Sequence, residues 1–157
     1  MPFTEESLKD LKPFNSEIEK KVVTGRCTNL FSSITISPTD RLLACCGLPM
    51  SNIEYLDLGN ATLYTIDELY DNQFCDFLKI WLYVDGPYKI LKFIADRIGN
   101  DNVPELALYS HTCFYCAVLF TNKKYLSFVQ THYKEIFASI MMRYLLLTKK
   151  HKNENSK

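Results

Sequence analysis

Phe31-Ser-Ser-Ile-Thr-Ile-Ser-Pro-Thr-Asp-Arg-Leu-Leu-Ala-Cys-Cys46 reads as a β-hairpin, and the fold class turns on it. Phe31 to Ile36 alternates and is β-branched, which predicts a strand. Ser37-Pro38-Thr39-Asp40 is turn chemistry, because proline presets φ while Ser and Asp side chains bond nearby backbone. Arg41 to Cys45 returns, and Gly47-Leu48-Pro49 breaks the strand. Adjacent strand residues face opposite ways, so a site on one face uses one of Cys45 and Cys46 easily. Cys45 follows Leu43 on one face, and Cys46 follows Leu42 and Ala44 on the other. The choice leans to Cys45, still held by the strand, over Cys46 at the border of the break.

Downstream the pattern turns helical. Leu56-Asp57-Leu58-Gly59-Asn60 predicts a short strand closed by a Gly-Asn turn, and Thr65 with Glu68 forms a capping box. Ile66, Leu69, Tyr70, Phe74, Phe77, Leu78, Trp81 and Leu82 make one apolar stripe, predicting one helix with Cys75 buried on its flank. Asp85-Gly86-Pro87 ends that helix and opens another, which stops at Gly99-Asn100. Asn102-Val103-Pro104 predicts a turn. From Lys124 to Leu147 a second stripe predicts one long amphipathic helix packed on the core. The fold class expected is α+β, a short hairpin followed by a mainly α-helical remainder. Residues 1–26 read as a leader or linker, 27–147 as the domain and 148–157 as a polar tail.

The chain has 157 residues with 18 Lys+Arg against 18 Asp+Glu, so no excess of cationic groups points to a phosphate backbone as partner. At 47% hydrophobic it is too apolar for a disordered chain. No run approaches the roughly 18 apolar residues of a membrane span. Met1 to Glu6 is acidic and lacks the apolar core of a secretory signal, which predicts a cytoplasmic protein.

Cysteine carries most of the functional information. A disulfide framework is a poor reading of six cysteines in a reducing compartment. Cys27, the pair Cys45-Cys46 and Cys113-Phe-Tyr-Cys116 form three groups, which favours metal ligation, while Cys75 stands apart. Four thiolates from such groups can close around tetrahedral zinc or an iron–sulfur cube. Cys113 and Cys116 suit a helix start, where the dipole and backbone N–H groups favour thiolate. A thioredoxin-type pair would need a βαβ setting that the pattern lacks. His111 is a ligand, an outer hydrogen-bonding group or a structural residue, the last being the commoner case; His132 and His151 have no partner near in sequence. No Gly-rich phosphate loop or hydrolase motif is present.

The hairpin Ser33 to Cys46, the Leu58-Gly-Asn60 turn and the helix start Thr65-Ile-Asp-Glu-Leu69 resemble the SPASM or twitch auxiliary cluster domain of radical S-adenosylmethionine enzymes. The resemblance covers about residues 25–120 and implies a [4Fe–4S] cluster on Cys27, one of Cys45 and Cys46, Cys113 and Cys116. Asp40 stands where the family's hairpin turn usually carries glycine. The Cys-x-x-x-Cys-x-x-Cys motif that cleaves the cofactor is missing from this sequence. The expected protein is therefore a cluster-binding auxiliary domain or fragment, not catalytic alone. Its expected partners are a radical S-adenosylmethionine catalytic domain or subunit and that enzyme's peptide or small-molecule substrate. A structural zinc domain for protein interaction is the alternative.

Overall fold

A computed structural model describes residues 25–47, 53–99, 103 and 111–154. The leader pattern before Gly25, Leu48-Pro49 of the strand break, and Asn102 and Pro104 on either side of Val103 lie outside the described residues.

The expected α+β architecture is present, with one three-stranded antiparallel sheet and six α-helices among the described residues. Strands β1 (Thr35–Ile36), β2 (Arg41–Leu43) and β3 (Asp57–Asn60) lie in that order, with β2 central. Thr35 pairs with Leu43 across the hairpin. Asp40 donates its N–H to the Ser37 carbonyl at 3.0 Å, and the Ser37 hydroxyl accepts from the Arg41 N–H at 3.1 Å. Asp40 holds φ at 57°, in the left-handed region that favours glycine. Aspartate is among the few side chains that tolerate it.

Alternation fails on β2. Leu42, Leu43, Ala44 and Cys45 are buried in succession, and Cys46 is the first residue to emerge. A central strand has neighbours on both edges, and a bulge at Leu42/Leu43 against β3 breaks the strict two-residue period.

Beyond β3 the Asn60 side chain accepts from the Thr62 N–H at 2.7 Å, closing the Gly-Asn turn. The capping box at Thr65 and Glu68 starts α1 (Ile66–Asn72). Leu69 packs onto Gly59, where an added Cβ would stand 2.6 Å from a Leu69 methyl. The single helix expected through Leu82 is in fact two. A 3-10 turn at Gln73–Cys75 separates α1 from α2 (Phe77–Asp85). Asp76 causes the break: its carboxylate caps α2 by accepting from the N–H groups of Leu78 at 3.0 Å and Lys79 at 3.3 Å. Cys75, expected buried, is exposed because the turn rotates it off the stripe.

Gly86 and Pro87 divide α2 from α3 (Pro87–Ile98) as expected, and Gly99 ends α3 at φ 92°. Helix α4 (Thr112–Thr121) follows, buried continuously from Tyr115 to Leu119. The long helix expected from Lys124 is also divided, into α5 (Lys123–His132) and α6 (Phe137–Glu154) around a 3-10 turn at Tyr133–Glu135. Tertiary contacts hold this junction. Tyr133 and Phe137 both pack on Phe77, and Arg97 of α3 binds Glu135 at 2.8 Å. Helix α6 continues to Glu154, into the segment read as a tail. Among the described residues no helix is long and apolar enough to cross a membrane.

Trp81 sits at the centre, 2% exposed, edge-on to Phe93 and donating its indole N–H to Asp85 at 3.2 Å. Arg143 of α6 grips the same carboxylate through two nitrogens, at 2.6 and 3.0 Å, and Lys89 adds a second cation at 3.3 Å. Burial alone would raise the Asp85 pKa, but the two cations outweigh it and hold the carboxyl below its ordinary value. Its contribution is thus complete above about pH 4 and is lost as pH falls through the lowered value. Asp85→Asn should cost about 2 kcal/mol at pH 7, below the range for a fully enclosed pair because Arg143 is half-exposed. Urea midpoints measured from pH 6 to pH 3 should fall less steeply for the variant than for the wild type. Parallel curves would show that Asp85 does not bind α6 to α2.

Candidate thiolate site

Each cysteine group reaches the site by a different device. Cys27 lies on a strap, Gly25 to Cys27, laid over the end of α2; its N–H donates to the Leu82 carbonyl at 3.2 Å. The strap fits because Gly86 has no side chain. A Cβ there would stand 2.1 Å from the Gly25 carbonyl oxygen, and φ of 80° with ψ of 163° is a conformation almost confined to glycine. Cys45 leaves the end of β2 into the core, 7% exposed. Cys113 and Cys116 occupy the first turns of α4, Cys113 half-buried and Cys116 8% exposed. His111 is the N-cap of that helix, its Nδ1 accepting from the Cys113 N–H at 3.1 Å.

All six cysteines carry thiols, with no disulfide among them. Burial pushes the Cys45 thiol up to about 11; the Gly47 backbone partly offsets it by hydrogen bonding, and Cys27, Cys113 and Cys46 add like-charge repulsion. Cys116 is driven well above its ordinary value by burial, then by Cys27, Cys113 and Cys45. Cys116 thus feels Cys45, and both feel Cys27 and Cys113. Four thiols from three distant segments share one electrostatic neighbourhood. Cys46 also acts on Cys45 but stands exposed at the surface, its sulfur 3.7 Å from the Ser33 hydroxyl, and Cys75 is exposed on its turn.

The donor set fits a thiophilic metal centre in kind. Its spacing does not close on a single ion: among the described residues, no group of three or more His, Cys, Asp or Glu side chains is arranged to hold a metal ion.

A second polar constellation was not legible as a site. Tyr55 donates its hydroxyl to Asp76 at 2.6 Å, and Lys79 pairs with the same carboxylate at 2.7 Å while lying over the Tyr55 ring. Burial, then Asp76, raises the Tyr55 pKa. Beside them Phe77, Val129 and Tyr133 line a cavity of about 220 Å³. The available signal was Asp76 standing directly before an apolar run, the mark of an N-cap. No known protein family, characterised protein or solved structure matches the chain.

Two outcomes test this geometry. In metal-free reduced protein at pH 8, iodoacetamide should alkylate Cys46 and Cys75 first, with Cys45 and Cys116 more than about tenfold slower. Peptide mass mapping reads the order, and equal rates would deny the burial described. Gly86→Ala should cost about 2 kcal/mol by urea unfolding and speed alkylation of Cys27, since the strap must lift. An unchanged Cys27 rate would separate the strap from Gly86.

Proposed function

We propose that the chain is a cytoplasmic iron–sulfur module in which Cys27, Cys45, Cys113 and Cys116 hold one [4Fe–4S] cluster. Its place is beside the catalytic domain or subunit of a radical S-adenosylmethionine enzyme, whose peptide or small-molecule substrate it helps to bind or reduce. The supporting observation is that Cys27, Cys45, Cys113 and Cys116 are the buried or half-buried thiols and their charges are felt within that group, while Cys46 and Cys75 are exposed. The hairpin with Asp40 in the left-handed position and the capped helix after the Gly-Asn turn agree with the SPASM or twitch resemblance.

A cube and a zinc ion ask different spacings of four thiolates. A tetrahedral zinc about 2.3 Å from every sulfur needs all four sulfurs within roughly 4 Å of one another. A cube takes one thiolate at each corner and accepts sulfurs that face a common space without meeting at a point. When bound, such a cluster supplies one-electron transfer or a coordination point for substrate. The protein's part is to supply four thiolates, exclude water with the apolar walls of α4 and β2, and keep Cys46 and Cys75 away. A reducing compartment suits this chemistry because it keeps the thiols available.

Anaerobic reconstitution should give about four irons and four labile sulfides per chain, with broad visible absorption. Cys113→Ser and Cys116→Ser should each abolish stable binding, while Cys75→Ser and Cys46→Ser retain it. Stoichiometric zinc without labile sulfide would replace this reading with the structural-zinc alternative. Loss of iron in Cys46→Ser but not Cys45→Ser would exchange the members of that pair.

A further inference from the structure

We infer that His111 is a positioning residue for the thiolate turn: its imidazole fixes Cys113 as the N-cap of α4 and is not itself a ligand. The inference deepens the reading above and rests on it in treating Cys113 as a ligand. His111 holds the turn twice. Its Nδ1 accepts from the Cys113 N–H at 3.1 Å, and its carbonyl accepts from the Phe114 N–H at 3.0 Å. Two of the orphan donors at the start of the helix are thereby satisfied by one residue.

The choice of residue is informative. Where a side chain caps another helix of this fold, it is Thr65, Asp76 or Asn122, all conventional caps. Only the helix bearing Cys-x-x-Cys has histidine there, among the described residues. An Asp cap would set a carboxylate two residues from Cys113; the imidazole supplies the acceptor without one. The first turn of α4 also has no acidic residue, which leaves its positive end to favour a thiolate. Because Nδ1 accepts, the ring N–H is on Nε2. The nitrogen facing the turn is already in use, so ligation through it would cost the cap.

The test compares His111→Ala with His111→Asn in the full chain, because asparagine offers a capping oxygen but no imidazole. Hydrogen exchange of the Cys113 amide in metal-free protein reads the cap without reference to any cluster. Release of iron to a ferrous chelator from reconstituted protein reads its consequence. His111→Ala should speed both about fivefold, and His111→Asn should stay within about twofold of wild type. Equal loss of iron in both variants, with Asn restoring amide protection, would make the imidazole a ligand and overturn the inference. Unchanged amide exchange in His111→Ala would overturn it directly. Wild-type protein that takes up no iron would instead refute the cluster reading, while amide exchange would still decide the cap.

Discussion

The carbonyl oxygen of Leu82 accepts two hydrogen bonds, and the arrangement of the molecule depends on them. One comes from the Gly86 N–H at 2.8 Å and ends α2; the other comes from the Cys27 N–H at 3.2 Å and fastens the strap. Leu82 is fully buried, so neither donor could be exchanged for water without opening the core. One acceptor thus joins three things: the turn into α3, the entry of the chain into the domain and the placement of the first thiol. Glycine at position 86 is the geometric condition for it, since both its φ and the closeness of Gly25 exclude a side chain. Asp85, one residue earlier, ties the same corner to α6 through Arg143. The corner is therefore fixed from both sides.

Burial then sets the chemistry of the sulfurs. Four thiolates in one apolar neighbourhood would repel one another and lose hydration, so in the metal-free chain Cys45 and Cys116 favour the protonated form. Cations that bind sulfur remove both penalties together, by neutralising charge and by replacing water as the partner of each sulfur. The two cysteines outside the group show the contrast: Cys46 and Cys75 face solvent, where a thiol has no such constraint.

What could be read from the sequence was what local chemistry decides. Ser37 to Asp40 formed the turn, Thr65 and Glu68 the capping box, and Gly86-Pro87 the helix boundary. Each depends on residues within four positions of one another. The long stripes were read as too continuous. A 3-10 turn of three residues preserves enough of the helical period that Phe74 and Phe77, or Tyr133 and Phe137, still look like neighbours on one helix. Asp76 was the missed signal at the first break, and at the second the deciding contacts, from Phe77 and Arg97, come from elsewhere in the chain. Strict alternation could not sort Cys45 from Cys46, because the bulge on β2 depends on pairing with β3. The separation of the pair into one buried and one exposed thiol is a tertiary result.

Helix α4 explains why a Cys-x-x-Cys can serve as the fixed half of such a site. Its five residues from Tyr115 to Leu119 are buried on every side, so it cannot rotate or slide without breaking packing against α3, where Tyr88 meets Tyr115 edge-on at 5.3 Å. Cys116 belongs to that locked segment, whereas Cys113 lies in the half-buried turn before it. Cys45 is likewise enclosed at the end of a central strand. Two sulfurs are therefore set by the core, while Cys27 lies on a strap fastened at the Leu82 carbonyl and Cys113 on the half-buried first turn of α4. A site built this way keeps a constant frame and adapts through the residues at its edge.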